Sequence, residues 1–417
     1  MFAEVGECRG ARRVNEQEFR FVEVGELGGE AADPSYRRDG ENFSALGGAL
    51  EYHDVLSNEA DRHPGLALVG DDPSNQFLRA AWSHAIADTR PVRNGIVVLE
   101  NVTIFSDAGM LLKRDHRVCL IGAEVNWVLA FAIWSLNAYC TPAENLRWVE
   151  FPGRFRISIA APAIEARPGV LMSSPGHLIY GHWILDYAPR LLLAMLGERG
   201  ERPVFYFHQI PAWATPFLAA FGVTDEMVRL LPRRPFIHFP FVTMPSGARD
   251  TYRLGRRLHA TAWSMLKRFM ERQPIGGRDR ARLPTAARIF VTRHGWTSNR
   301  AVANIDRLEE LAAARGYVAV EPSTFAVPAQ ARIFRQARIV IGEDGSALHN
   351  IVFAEPGCVL GVINTSSRPN LWHLGICEVL GHRLSYLTAS PGADGREIAD
   401  EAAFAALIDR LEAIASL

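Results

Sequence analysis

Apolar and polar positions alternate in two different ways along the chain, and the change falls near residue 170. Between 94 and about 170 the apolar residues come in short runs, "GIVVLENVTIF", "RVCLIG" and "RFRISIA", broken by turn residues, which is the pattern of β-strands. From about 171 onward strand-like runs alternate with helix-like ones, most cleanly in the last third. There "RIFVT" at 288–292 predicts a buried strand, and "NIDRLEELAAARG" a helix with Asn304 at its N-cap and Gly316 at its end. "YVAVEP" predicts the next strand, and "PAQARIFRQA" a helix with Pro328 in its first turn. "RIVIG" is then a strand, "SALHNIVFAEPG" a helix closed by Pro356 and Gly357, and "CVLGVI" a strand.

Alternation at that spacing implies a parallel sheet with right-handed crossovers, a Rossmann-like half. An upstream half, "PVFYFH" at 203–208 followed by "PAWATPFLAAFG", repeats the style. The expected fold class is therefore α/β, with two facing Rossmann-like domains, a cleft between them and a strand-rich N-terminal extension. Residues 1–93 are a polar, glycine-rich extension to which no role can be given. Residues 94–245 form the upstream half with its β-rich lead-in, and 246–417 the downstream half.

Composition narrows the classes. At 417 residues the chain is long enough for two domains, each with a full core. The formal net charge of −1 argues against a nucleic-acid protein or a polybasic membrane binder. Lys113 and Lys267 are the only lysines, so arginine carries nearly all the positive charge. Five scattered cysteines without a CxxC pair fit a reducing compartment and give no zinc signature. The start, "MFAEVGECRGARR", has no apolar core of a signal peptide, and "VNWVLAFAIWSLNAY" at 125–139 is short for a bilayer span. A cytoplasmic location is expected.

Three stretches carry candidate chemistry. In "RIVIGEDGSALHN" at 338–350 an apolar strand ends at a glycine and two adjacent carboxylates before a helix begins. Ligands of open parallel sheets bind beyond the carboxyl ends of strands, where this corner lies. Gly345 permits close approach of a ligand, and the N–H groups of the next helix suit a phosphate. On an α-helical wheel Ser346 and Asn350 share a polar side flanked by His349, opposite Leu348, Ile351 and Val352. That stripe suits a nucleotide or nucleotide-sugar; the plainer alternative is a capped helix with a solvated face. Glu343 and Asp344 suit sugar or ribose hydroxyls, or else complement the helix dipole. The pair is adjacent, with no third carboxylate nearby in sequence, so no metal site is expected.

In "YGHWILDYAPRLL" at 180–192, His182 and Asp186 stand at i and i+4, where a carboxylate fixes an imidazole as a general base requires. The alternative is a surface ion pair beside a proline kink. In "VTRHGWTSNRAVAN" at 291–304, Arg293 and Arg300 could form a fork for phosphate oxygens, with His294, Ser298 and Asn299 as further donors.

In order and spacing over roughly 95–395, these three stretches resemble glycosyltransferase family 61, a group associated with capsular polysaccharide proteins. The matching features are His182, Asp186 and Pro189; Arg293, Arg300 and Asn304; then Gln330, Phe334, Gly342, Gly345, Leu348, Asn350, Phe353, Pro356 and Gly357. The resemblance implies a GT-B fold and metal-independent, inverting transfer from a nucleotide-sugar held mainly by the downstream half. No cofactor is implied beyond that co-substrate. The acceptor would be a glycan or lipid-linked glycan, reached at the inner face of a membrane. Asp344 stands where many members carry His, His349 where many carry Thr, and Ile305 where many carry Glu, so donor preference does not transfer with the resemblance.

On this reading Asp186 or His182 is the base. Arg293, Arg300, Gly345 and Ser346 hold diphosphate, while Glu343 or Asp344 holds donor hydroxyls, with Asn299, His349 and Asn350 completing the donor site. A nucleotide-sugar epimerase and a non-catalytic glycan-binding relative are the alternatives. Product analysis without an acceptor separates the first, and loss of the His182/Asp186 pair would mark the second.

Overall fold

The computed structural model describes residues 16–22, 52–54, 94–105, 111–114, 117–120, 147–150, 154–158, 163–164, 168–173, 176–197, 203–231, 236–245, 249–250, 253–294, 302–365 and 371–416. The apolar run at 125–139, Ser298, Asn299 and Arg300 lie outside the described residues, as does most of 1–93. Among the described residues, no helix is long and apolar enough to cross a membrane.

The chain is a mixed α/β protein with two principal sheets. The upstream sheet contains β1 (Gly95–Phe105), β2 (Val170–Leu171), β3 (Phe205–Phe207), β4 (Val228–Leu230) and β5 (Phe236–Pro245). β4, β3, β2 and β5 pair in parallel, whereas β5 runs antiparallel to β1 over nine residue pairs, from Phe236↔Phe105 to Pro245↔Ile96. Beyond β1 the sheet continues through Leu111–Arg114, Arg117–Leu120, Glu16–Val22, Arg154–Ser158 and Arg147–Glu150, mostly antiparallel. The run of consecutive parallel strands is thus four strands at one end of the upstream sheet, with further parallel pairs, among the described residues, only between Ala163–Ile164 and β5 and between Glu16–Val22 and Arg117–Leu120. The short hairpin-type runs before residue 170 build the rest, because strands joined by tight turns can only pair antiparallel.

The downstream sheet follows the sequence pattern closely. Its strands are β6 (Arg288–Val291), β7 (Val318–Val320), β8 (Ile339–Glu343), β9 (Val359–Thr365), β10 (Arg383–Pro391) and β11 (Glu397–Ile398). The order β7-β6-β8-β9-β10 is parallel throughout, with β11 antiparallel at the edge. This is a doubly wound order whose direction reverses between β6 and β8, and such a switch point opens a crevice at the strands' carboxyl ends.

Both faces of this sheet are buried, which explains its unbroken apolar runs. Ile289, Val291, Val340, Leu360 and Val362 join one core, and Phe290, Ile339, Ile341, Val359 and Ile363 join the other.

The upstream helices are α1, a continuous run through Tyr180–His182, Trp183–Tyr187 and Ala188–Gly197, and α2 (Thr215–Ala220). Next come α3 (Arg256–Arg272), α4 (Gly277–Arg282), α5 (Ile305–Ala314), α6 (Val327–Gln336), α7 (Trp372–Leu380) and α8 (Glu401–Ala415). α3 packs on α1 and α2 of the upstream half and on α6, α7 and the 3-10 helix Ser346–Phe353 of the downstream half. One core therefore runs from Trp183, Leu191 and Phe205 through Leu258, Trp263 and Leu266 to Val340 and Leu360.

α5 starts after Asn304 and ends before Gly316, whose φ of 79° is the left-handed turn expected there. The Asn304 side chain does not cap α5. It holds the backbone of Ala399, accepting from its N–H at 3.0 Å and donating to its carbonyl at 2.8 Å.

Candidate active site at the meeting of the two halves

The segment leading into α1 turns at Gly176, whose φ of 85° favours glycine. A Cβ there would also stand 2.5 Å from the His182 ring, so the ring lies flat over a position only glycine can fill. α1 then opens with one α turn, widens to a π turn over Trp183–Tyr187, and returns to α geometry at Ala188. Trp183 anchors the π turn. Its ring stacks on Tyr187 at 4.5 Å and its indole N–H donates to the His177 carbonyl at 2.7 Å. π turns of this kind recur at functional sites.

The widened turn presents His182 and Asp186 together, with Nδ1 and Oδ2 2.5 Å apart. Their side chains are 20% and 13% exposed, so the pair is largely desolvated yet still reachable. That is not the solvated surface pair the bland reading expects. Beneath it the Arg190 guanidinium is buried, donating to the carbonyls of Leu171, Met172 and Pro245. Burial pushes its pKa below the usual guanidinium range, while the nearby Tyr187 and Asp186 favour its charge.

Gly181 brings the second half to this pair. A Cβ on residue 181 would lie 2.5 Å from His349 Nδ1 and 2.8 Å from Ser346 Oγ. Ser346 and His349 thus face α1 together. An α-helical wheel grouped Ser346 with Asn350; the segment is instead a 3-10 helix, in which residues three apart eclipse. Asn350 turns away into a buried chain. It accepts from the Tyr180 hydroxyl at 2.6 Å and donates to Gln330 Oε1 at 2.9 Å and to the Ala347 carbonyl at 3.0 Å. Its side chain is fully buried and fully used, which makes it a pin between the halves.

The corner after β8 sits at the switch point, beside the end of β6. Arg293 donates through Nη1 to the Asp344 carbonyl at 2.9 Å and lies over Gly345, where a Cβ would meet Nη1 at 2.8 Å. Only a bare backbone at 345 lets that guanidinium rest there. Glu343 is 4% exposed and accepts the Val302 N–H at 2.7 Å, so it ties the loop before α5 to β8. Burial raises its pKa, with the Val302 bond and Arg293 opposing. The Asp344 carboxylate is equally buried and lies 3.4 Å from Nδ1 of His373.

His373, at the start of α7, packs edge-on against His349 with ring centroids 5.2 Å apart. Burial drives both imidazoles toward the neutral form: His349 falls to about 3, with His373 adding to the effect, and His373 falls to about 4.

The structure therefore gathers His182, Asp186, Ser346, His349, Arg293, Asp344 and Gly345 where α1 meets the corner after β8. Glu343 and Asn350 line the same corner with their polar atoms committed to the fold. His294 points elsewhere, pairing on the surface with Glu309 at 2.9 Å and Asp306 at 3.3 Å. His373, Tyr180 and Arg190 are the groups that sequence reasoning missed. A lone histidine in "LWHLGICEVL" carries no signal, since only the fold sets it beside Asp344.

Residues 180–361 match the family model described as glycosyltransferase 61. The match takes in the whole crevice except His373, bears out the resemblance drawn from the three stretches, and supports glycosyltransferase activity. No curated protein matches the chain.

Proposed function

We propose that this chain, which carries the glycosyltransferase 61 match over residues 180–361, moves a sugar from a nucleotide-sugar to a glycan acceptor with inversion at the anomeric carbon. The observation that carries the reading is Gly181. It packs α1, one residue before His182, directly against Ser346 and His349 of the corner that follows β8.

An acceptor hydroxyl entering beside α1 meets a base. Asp186 either takes its proton or orients His182 to do so. The hydroxyl then attacks the anomeric carbon as the bond to the leaving diphosphate breaks on the opposite face, through an oxocarbenium-like transition state. The leaving diphosphate is held by Arg293 and by backbone N–H groups at Gly345 and Ser346. Two neutral histidines behind that corner suit an anion less well than cations would, so Arg293 supplies the fixed positive charge among the described residues of the corner.

The two sheets with their shared crevice are read as the facing halves of a GT-B arrangement. The acceptor class is a growing surface polysaccharide, on the cytoplasmic side of a bacterial membrane. Transfer is taken as metal-independent; among the described residues no group of three or more His, Cys, Asp or Glu side chains is placed to hold a metal ion.

The test is transfer from a panel of nucleotide-sugars to oligosaccharide acceptors, with and without EDTA, reading the anomeric configuration of the product. An inverted linkage formed equally well with chelator supports the reading. Retained configuration, or activity abolished by EDTA and restored by manganese, overturns the mechanism.

A further inference from the structure

The π turn that presents Asp186 leaves an account to close. Within it the Ala188 N–H bonds to the Trp183 carbonyl, five residues back. The next carbonyl, that of Ile184, would take its π-type bond from residue 189. The carbonyl of Leu185 would take its α-type bond from the same residue. Residue 189 is proline and has no N–H to give. The widened turn sets two buried carbonyls beside one backbone donor position, and with proline there neither is met from residue 189; an unpaired buried carbonyl costs about 1–3 kcal/mol.

Both are met from another element. His259 and Trp263 stand at i and i+4 on α3, facing α1. The Trp263 indole N–H donates to the Ile184 carbonyl at 2.9 Å, and His259 Nε2 lies 3.0 Å from the Leu185 carbonyl. The two rings pack edge to face at 5.2 Å, both essentially inaccessible to water. The other ring nitrogen of His259 lies 3.0 Å from the Gly255 carbonyl, which already accepts the His259 backbone N–H at 2.9 Å. The carbonyl in need is that of Leu185, so the proton the fold requires is the one on Nε2.

We propose that His259 is a positioning residue for transfer: with Trp263 it supplies from α3 the donors that the π turn and Pro189 together leave missing, and so holds the π turn that sets Asp186 against His182. The proposal rests on the reading of His182 and Asp186 as the base. Its physical content is that α1 keeps a strained register only because two side chains of a helix shared by both halves complete its hydrogen bonds. A displacement of about 1 Å at such a pair is enough to cost up to a hundredfold in rate.

The experiment uses the full chain and the variants His259→Phe, His259→Gln and Pro189→Ala. His259→Phe keeps the ring volume and removes both nitrogens. It should lower kcat for sugar transfer about ten- to a hundredfold, leave the calorimetric Kd for the donor unchanged, and shift or broaden the imidazole N–H resonance of the His182–Asp186 pair, read without substrate. His259→Gln retains an N–H and should recover part of the loss.

Pro189→Ala restores the missing donor, so combining it with His259→Phe should lessen the melting-temperature loss of His259→Phe alone. Should His259→Phe fail to fold, folding on the Pro189→Ala background would support the proposal, and failure there too would overturn it. Wild-type kcat and an unmoved imidazole resonance in folded His259→Phe would also overturn it. Normal transfer by Asp186→Asn would remove the base reading instead, and the imidazole resonance would still decide whether His259 positions the turn.

Discussion

The two sides of the crevice are built on opposite physical terms. On the α1 side the polar pair is close at 2.5 Å and partly open to water, and it sits on a turn whose regular hydrogen bonding is interrupted. On the side of β8 the polar groups are sealed: Glu343, Asp344, His349 and Asn350 are each less than 7% exposed, and most are spent on the backbone or on each other. The difference teaches where each task belongs. Proton transfer needs a group that can meet an acceptor and change charge, which the open pair can do. Holding a diphosphate needs fixed geometry, which on the proposed reading backbone N–H groups and Arg293 of the sealed corner would supply.

The sharpest way to break this comparison is Asp186→Asn. If the open side carries the chemistry, the variant should lose about a hundredfold or more in transfer rate, the usual scale for a general base. Donor affinity by calorimetry should hardly change, because the proposed function puts the donor against the other wall. His182→Ala should be the worse of the two if His182 is the base and Asp186 only orients it. Near-normal transfer in both variants would move catalysis away from α1.

The sealed side has its own signature in pH. Burial holds His349 at about 3 and His373 at about 4, against an ordinary value of 6.5. The unfolded chain therefore binds more protons than the folded one between those values, and stability rises with pH through that interval. The contribution is fully present above about pH 6.5 and is lost as pH falls toward 4 and below. For two buried rings together it is on the order of a few kcal/mol. Urea unfolding at pH 7.5 and pH 5 should show that loss, and His373→Phe should flatten it. A pH dependence identical in that variant would mean the rings are not buried neutral.

Arg293→Ala tests the same wall from the ligand's side. Removing a charge-assisted bond to a desolvated diphosphate should weaken donor binding by about 1.5–3 kcal/mol, roughly ten- to a hundredfold. Calorimetry with the donor nucleotide-sugar reads it directly. Unchanged affinity would leave Arg293 as a brace for the Asp344 carbonyl and the Gly345 backbone alone.

The sequence revealed the downstream sheet well because both of its faces are buried, which makes every strand an apolar run and every crossover an amphipathic helix. It placed Gly316 and Pro328 correctly at helix ends, since chain-reversal and first-turn chemistry is local, and put Asn304 at the cap position although its side chain binds Ala399 instead. The upstream sheet was less legible. Its parallel strands β2, β3 and β4 are only two or three residues long, and their partners are separated by long stretches of chain. At the site, His182 and Asp186 were found because their spacing is a local fact. The 3-10 geometry of 346–353 was not, because Ser346, His349 and Asn350 fit either period equally well until Gly181 and Gln330 take opposite sides. His259, Trp263 and Pro189 were beyond reach for a related reason. Proline's missing N–H can be read in one line of sequence, but the donors that replace it come from some seventy residues away.

The smallest expected effect is the most useful control. His294 follows Arg293 and belongs to the same loop, yet its ring is nearly half exposed and pairs with Glu309 and Asp306 of α5. Those carboxylates, the Glu309 hydrogen bond first, raise its pKa above the ordinary histidine value. The sign is therefore opposite to that of His349. Stability from this pair is present below about pH 6.5 and disappears as pH rises past the folded value. Exposure keeps the gain within about 1 kcal/mol. His294→Ala should thus leave donor affinity and transfer rate at wild-type levels and lower stability slightly, more at pH 6 than at pH 8. A loss of donor binding comparable to Arg293→Ala would show that the loop turns His294 into the crevice when a ligand arrives. The division between an open catalytic wall and a sealed binding wall would then fail once a ligand is bound.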